Sequence, residues 1–420
     1  MLNTREHICV IGLGYIGLPT ASLLANRGFQ VLGVDVVPAV VDTINRGEIH
    51  IVEPELDAMV HAAVGCGRLK AALKPEAADV FILAVPTPFK AGHKPDMTYV
   101  EAAARSIAPF VRPGNLVILE STSPVGSTEQ VAHIIAAARP DLILPVVGNH
   151  GAALPDQVFV AHCPERVLPG QIMRELVEND RIIGGVDEPS AKRCRDLYAK
   201  FVSGQMLTTD ARTAEMCKLT ENSYRDVNIA FANELSLICD RLKIDVWELI
   251  RLANHHPRVK ILQPGPGVGG HCIAVDPWFI VDSAPDLARI IRTAREVNAA
   301  KPHWVVDKVL ALANRFKAPR IALLGLAFKP DVDDLRESPA VEIAHILAER
   351  KAGELLAVEP LVEELPRQLK GLANIRLCPI DEALAAADIV VMLVNHRDFL
   401  TIDRAQLADK LLIDTRGVWR

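Results

Sequence analysis

Gly265-Pro266-Gly267-Val268-Gly269-Gly270-His271-Cys272 places four glycines directly ahead of one cysteine. Glycine lets a backbone come close to a ligand because it carries no Cβ. Cysteine attacks electrophiles as its thiolate, a minor species at neutral pH when the thiol pKa is about 8.5. Such a thiol needs an activating neighbour. His271 is adjacent, but consecutive side chains point apart. Asp276, four residues on, faces Cys272 only if the segment turns helically. The alternative for Cys272 is a buried structural thiol.

A second constellation is Lys218, Asn222 and Arg225, spaced by four and three residues. At about 100° per residue they fall within roughly 60° of one another on a helix. Two cations flanking an amide donor can stabilise an oxyanion or a phosphate. The same stripe also reads as a solvated helix face. His162-Cys163-Pro164-Glu165-Arg166-Val167-Leu168-Pro169-Gly170 brings an acid and a base together, as reacting groups or as a surface ion pair. His255, His256 and Arg258 precede the glycine loop. A histidine pair suggests a metal, but no third ligand stands at a recognised spacing, so no metal is expected. Phe328-Lys329 and Arg336 surround a later strand–loop–helix unit where phosphates could bind.

Near the start, Gly12-Leu13-Gly14-Tyr15-Ile16-Gly17 is G-x-G-x-x-G between a strand-like run and a helical pattern. Gly12 permits the tight turn, Gly14 lets backbone approach a pyrophosphate, and Gly17 lets helix and strand pack closely. The helix start offers unpaired N–H groups to the anion. Asp35 ends the next strand, eighteen residues after Gly17. Its carboxylate suits ribose hydroxyls and repels a 2′-phosphate, which points to NAD rather than NADP. Val85-Pro86-Thr87-Pro88 and Ser121–Thr128 follow two further strands. Their hydroxyls face either a ligand at the strand ends or the turns that Ser, Thr and Pro favour.

These groups need a scaffold. The first third alternates apolar strands with helices, the signature of parallel βαβ units. From Arg212 to Leu242 no Gly or Pro occurs, and helical spacing predicts one helix of roughly 45 Å. A second apolar stripe, Phe231, Leu235, Ile238 and Leu242, predicts a homodimer through that helix. A helix over Leu287–Ala313 is expected to kink or break at Pro302. Strand–helix alternation then returns, with Ser338-Pro339 reading as a helix cap and first position. Gly325-Leu326-Ala327 weakly echoes Gly12-Leu13-Gly14. The expected fold class is α/β, two Rossmann-like doubly wound parallel-sheet domains joined by a helical central domain. The expected boundaries are 1–210, 211–315 and 316–420.

The 420 residues carry net charge −6, and half are hydrophobic. That composition fits a folded chain and offers no basic footprint for nucleic acid. No apolar run reaches the ~18 residues of a membrane span. Met1–Arg5 lacks the start of a signal peptide. Eight cysteines without a C-x-x-C pair fit a reducing cytoplasm, each by default a small buried hydrophobe.

Together Gly12–Gly17, Ser121–Gly126, Pro164-Glu165, Glu215–Asn222, Gly267–Cys272 and Arg336-Glu337-Ser338-Pro339 resemble the UDP-glucose and UDP-N-acetylmannosamine dehydrogenase superfamily over essentially the whole chain. Cys163–Gly170, His256-Pro257-Arg258 and Thr415–Arg420 resemble the UDP-N-acetylmannosamine branch most. The resemblance implies oxidation of a sugar C6 alcohol to a carboxylate with two NAD, supplying a uronic acid sugar nucleotide for bacterial surface polysaccharide. The same chemistry on UDP-glucose or UDP-N-acetylglucosamine is the alternative. It implies that Cys272 is the nucleophile, Lys218 the acid/base at the C6 oxygen, Asn222 a supporting donor, and Glu165 and Asp276 acids in proton transfer or water activation. Tyr15, Ile16, Asp35, Thr87, Thr128 and Arg336 match cofactor positions. Arg166, Val167, Lys218, Asn222, Arg225, His256, Arg258, Gly269, Phe328, Lys329 and Arg416 match sugar-nucleotide positions. His256 and Arg258 are implied to reach the neighbouring subunit's substrate. Arg416 stands where close relatives carry Lys, which keeps charge but changes hydrogen-bond geometry.

Overall fold

The computed structural model describes residues 6–270 and 272–419; His271 and Arg420 lie outside them. The chain forms two compact units, Met1–Glu221 and Asn222–Arg420. The first holds eight strands: β1 (His7–Ile11), β2 (Gln30–Val34), β3 (Leu69–Ala72), β4 (Val80–Leu83), β5 (Leu116–Leu119), β6 (Phe159–His162), β7 (Arg181–Gly185) and β8 (Met206–Asp210). Their order is β3-β2-β1-β4-β5-β6-β7-β8. The order reverses at β1 and β4, and ligands of such sheets bind outside the strand ends at that switch.

Alternation along each strand explains the continuous apolar runs. Ile8 and Val10 join one buried cluster, while Cys9 and Ile11 join another. Val80 and Ile82, against Phe81 and Leu83, divide the same way, as do Leu116 and Ile118 against Val117 and Leu119. A strand with helices on both faces buries both sets of side chains. The sheet is parallel except between β6 and β7, where Ala161 pairs with Gly185 and His162 with Gly184 in antiparallel sense.

The second unit has β9 (Arg320–Leu324), β10 (Glu354–Val358), β11 (Ile375–Leu377), β12 (Ile389–Met392) and β13 (Leu411–Asp414). Their order is β11-β10-β9-β12-β13, all parallel. Ile321 and Leu323 face one core cluster, Ala322 and Leu324 the other. The long helix runs Ala211–Leu242 and carries the chain from the first unit into the second. Further helices are Val246–Ala253, Asp276–Ser283, Arg289–Ala313 and Pro339–Glu349. Ser338 caps the last, its Oγ accepting the Ala340 N–H, with Pro339 at the first position.

Of the kink or break expected at Pro302, the break does not occur; Arg289–Ala313 is one element. Proline removes a single N–H bond, and tertiary packing compensates here. Pro302 is buried, and a Cβ on Gly267 would lie 3.2 Å from its ring. One turn earlier, Asn298 donates to the Asp226 carboxylate and carbonyl. Among the described residues no helix is long and apolar enough to cross a membrane.

Candidate active site

The three glycines after β1 differ in what surrounds them. Gly12 has φ +92°, and a Cβ there would sit 2.5 Å from the Ala84 carbonyl oxygen. At Gly17 a Cβ would sit 1.8 Å from the Gly12 carbonyl oxygen, so only glycine fits the helix against the turn. Around Gly14 nothing lies within 4 Å, leaving open space where backbone can meet an anion. Ile16 precedes the Gly17–Asn26 helix, and Tyr15 packs partly buried on the first core cluster. Asp35 Oδ2 accepts the Leu13 N–H at 3.0 Å and Oδ1 accepts the Val37 N–H at 3.0 Å. Its carboxylate is thereby fixed at the strand end and keeps lone pairs for ribose hydroxyls. This cradle fits a dinucleotide.

The loops after β4 and β5 are tied together. Thr87 Oγ1 donates to the Thr122 carbonyl at 2.6 Å. Thr128, expected at the cofactor, is fully buried; its N–H and hydroxyl both go to Glu215 Oε1, at 2.7 and 2.6 Å. Glu215 Oε2 accepts the Gly126 N–H at 2.6 Å. The Thr128 side chain therefore acts inward, fixing the loop, rather than toward a ligand.

Further along the same helix, Lys218 is 7% exposed. Its Nζ lies 3.9 Å from Glu165 Oε1, and Glu165 Oε2 accepts the Val167 N–H at 2.6 Å. Both charges are largely desolvated, so their attraction is screened less than at a surface. Arg166 pairs with Glu221 through Nη2 and Oε1 at 2.5 Å. Behind them lies a buried polar group. Glu120 Oε1 is 3.4 Å from both the Thr20 and Tyr198 hydroxyls, and burial pushes its carboxyl up to about 7. His162 is fully buried, and burial holds its imidazole down at about 3.

In the second unit Cys272 is exposed, as is Cys66, against the buried default for cysteine. The segment does turn helically: the Cys272 carbonyl accepts the N–H groups of Val275 and Asp276 at 3.0 and 2.8 Å. Asp276 is buried, and its Oδ2 accepts from Asn222 Nδ2 at 2.5 Å. That bond ties the long helix at Asn222 to the cysteine turn. The glycines of this loop have no room for a side chain. A Cβ would come 2.2 Å from the Glu337 carbonyl oxygen at Gly269, and 2.9 Å from the Phe328 ring at Gly270. At Gly265 a Cβ would lie 2.8 Å from Arg416 Nη1. Arg416 Nε donates to the Leu393 carbonyl at 3.0 Å, and burial lowers its guanidinium to about 10 while leaving it charged at neutral pH. Lys329 Nζ lies 5.8 Å from the Phe328 ring centre.

Other expected residues are not drawn into these groups. Arg225, His256 and Arg258 are exposed, and the Arg258 N–H meets His256 Nδ1 at 3.4 Å. Arg336 pairs with Asp334, Nη2 to Oδ2 at 2.7 Å. Among the described residues no His, Cys, Asp or Glu cluster could hold a metal.

Several organising side chains went unread in the sequence. Glu53 accepts the N–H groups of Gly170 and Ile172, both at 2.8 Å, and so fixes the end of the Glu165 loop. Asp226, Arg295, Asn298 and Asn233 form a buried chain ending at Gly265: Arg295 to Asp226 at 2.7 Å, Asn233 to Asn298 at 2.9 Å, and Gly265 N–H to Asn233 at 2.9 Å. Each is a single polar residue acting far along the chain, with no local spacing to betray it.

The UDP-glucose/GDP-mannose dehydrogenase family matches by its NAD binding domain at residues 6–202, its central domain at 212–300 and its UDP binding domain at 322–420. An NDP-N-acetyl-D-galactosaminuronic acid dehydrogenase of Ralstonia nicotianae is 59% identical over 412 residues, 98% of this chain and 96% of the relative. A UDP-N-acetyl-D-mannosamine dehydrogenase of Escherichia coli strain K12 is also 59% identical, over 421 residues, 98% of this chain and 99% of the relative. The solved UDP-N-acetyl-mannosamine dehydrogenase of Staphylococcus aureus is 41% identical with a TM-score of 0.86, covering 98% of this chain and 95% of that one.

Proposed function

The chain belongs to the UDP-glucose/GDP-mannose dehydrogenase family of NAD-dependent oxidoreductases, and from that premise we propose that it oxidises the C6 alcohol of UDP-N-acetyl-D-mannosamine to the uronate. The observation that carries the four-electron reading is an exposed Cys272 at the end of a loop whose glycines have no room for a Cβ, in a turn held by Asp276 and Asn222. A one-step alcohol dehydrogenase has no use for a nucleophile.

NAD, held by Gly12, Gly14, Tyr15, Ile16, Gly17, Asp35 and Thr87, supplies the hydride acceptor for each of the two oxidations. The residues do the rest. Lys218 meets the negative charge on the C6 oxygen as its proton leaves, and Asn222 adds a donor. Preorganised donors of this kind are each worth about 10²–10³ in rate. The Cys272 thiolate adds to the aldehyde carbon, forming a C–S bond and a thiohemiacetal. That tetrahedral adduct can lose a second hydride, and the thioester so formed is cleaved by water to carboxylate and free thiol. Glu165, fixed by Val167 N–H beside Lys218, and Asp276 are the acids available to take the water's proton. Arg166, Val167, Arg225, Gly269, Phe328, Lys329 and Arg416 bind the sugar nucleotide, with Arg336 at the cofactor. Segments 1–210, 211–315 and 316–420 divide the work into cofactor binding, chemistry with dimerisation, and nucleotide binding.

The enzyme works as a cytoplasmic homodimer in this account. Phe231, Ile238 and Leu242 on the long helix are 52%, 46% and 61% exposed. A stripe of that kind on a soluble chain calls for a partner, and His256 and Arg258 then reach the neighbouring subunit's substrate.

A second reading, the same chemistry on a UDP-N-acetylgalactosamine-type sugar, draws on the equal 59% identity to the Ralstonia protein. Separate assays with UDP-N-acetylmannosamine, UDP-N-acetylgalactosamine, UDP-N-acetylglucosamine and UDP-glucose decide between them. The highest kcat/KM belongs to the manno sugar if the first reading holds. An equal or higher kcat/KM with another sugar rejects it.

A further inference from the structure

The two sheets repeat one device. In the first unit β1 ends at Gly12, whose N–H meets the Val34 carbonyl, and Asp35 at the end of β2 accepts the next N–H, from Leu13. In the second unit β9 ends at Gly325, whose N–H meets the Val358 carbonyl, and Glu359 at the end of β10 accepts the next N–H, from Leu326. Gly12 and Gly325 have φ of +92° and +90°. Asp35 remains half-exposed, while the Glu359 side chain is wholly buried.

What covers Glu359 is His396, itself 2% exposed. Glu359 Oε2 accepts the N–H groups of Leu326 at 2.7 Å and Ala327 at 2.9 Å, and lies 3.1 Å from His396 Nε2. His396 Nδ1 accepts the Asp331 N–H at 3.0 Å. Nδ1 therefore carries no hydrogen, and Nε2 donates to the carboxylate. The imidazole stands edge-on to buried Phe399, ring centres 5.4 Å apart. Burial raises the Glu359 carboxyl, but the bonds from His396, Leu326 and Ala327 outweigh it and leave it below its usual value. The carboxylate that would face a ribose in the first unit is closed off in the second.

One carboxylate–imidazole pair thus grips both ends of the 326–331 loop. Between those ends lie Phe328 and Lys329. We propose that Glu359 and His396 are positioning residues that set this loop for the diphosphate of a sugar nucleotide. The inference rests on the reading that Phe328 and Lys329 contact that nucleotide. The loop has little slack elsewhere. Asp331 sits at φ +59°, its carboxylate held by the Arg397 N–H at 3.1 Å and Arg397 Nε at 3.0 Å. The Phe328 ring also abuts Gly270, two residues before Cys272. A loop released at either end moves Phe328 and Lys329, and binding of the diphosphate suffers first.

The two ends of the imidazole can be separated by mutation. His396→Asn places an oxygen near Nδ1 and can still accept the Asp331 N–H. His396→Gln reaches toward Glu359 but gives up the Asp331 bond. Glu359→Gln keeps the shape and loses the charge that Leu326, Ala327 and His396 share at Oε2. UDP and NAD are titrated separately into each full-length variant by calorimetry. His396→Gln and Glu359→Gln are expected to weaken UDP about tenfold or more, the effect of losing a charge-assisted or buried hydrogen bond. NAD affinity stays at the wild-type value, and His396→Asn recovers most of the UDP affinity. Unchanged UDP binding in both Gln variants overturns the proposal, and so does equal weakening of UDP and NAD. Failure of the wild type to bind UDP would instead overturn the reading on which it rests.

Discussion

Replacing Glu120 by glutamine removes a titration that the folded chain carries out near neutrality. Glu120 is buried, and burial lifts its carboxyl from the ordinary 4.5 to about 7, with Glu165 adding to the rise and the Arg181 guanidinium opposing it. Unfolded, the same carboxyl ionises near its ordinary value. Between those two pH values the folded state holds a proton that the unfolded state has lost, so stability falls as pH rises through the window. The full difference corresponds to about 3 kcal/mol. Glutamine keeps the shape of the protonated acid and has no charge to bury. Glu120→Gln is therefore expected to gain on the wild type by about 3 kcal/mol between pH 5 and pH 8, read from urea unfolding at each pH. His162 titrates in the opposite sense, because its lowered value costs stability as pH falls below its ordinary 6.5. It is present in both proteins and cancels in the difference. A stability difference that does not change with pH would refute the reasoning.

Gly17→Ala puts a methyl 1.8 Å from the Gly12 carbonyl oxygen, so the helix must leave the turn; NAD titration should show binding lost, and an affinity within twofold of wild type contradicts the cradle. Glu215→Gln sets an amide donor against one of the three donors that Glu215 now accepts, and thermal unfolding should register a loss of about 2–3 kcal/mol. Ile238→Asp places a charge on the exposed stripe of the long helix; light scattering should give a monomer mass where the wild type gives a dimer, and an unchanged mass refutes the interface.

Much of the fold was legible because it follows from periodicity. The buried strands β1, β4, β5, β9 and β12 are carried by apolar runs, with Gly or Pro closing those of β1, β4 and β9, and the 32-residue long helix contains neither Gly nor Pro. Strands β6, β7 and β8 were not read, because their polar residues, such as His162, Arg181 and Thr208, hide the pattern; Arg181 is buried all the same. The break allowed for at Pro302 did not occur because a local rule about one missing N–H was outweighed by packing around Gly267 and Asn298. In the candidate site, Gly12, Gly17 and Asp35 announced themselves by spacing. The stripe from Lys218 to Asn222 also follows from spacing, whereas the helical turn from Cys272 to Asp276, left open by the sequence, is set by the bonds of the Val275 and Asp276 N–H groups to the Cys272 carbonyl. Glu215, Glu53 and Glu359 did not, since each is one carboxylate whose partners lie 87, 117 and 33 residues away. Long-range pairing of single polar residues leaves no trace in a single sequence.

The central claim is that one chain completes two oxidations through a bond to Cys272. It is tested most directly by counting NADH against uronate formed, in wild type and in Cys272→Ala. Two NADH per acid are expected from the wild type, and no completed acid from the variant, which should still bind NAD because the Gly12–Gly17 loop is untouched. Two NADH per acid from Cys272→Ala at close to the wild-type rate would contradict the account.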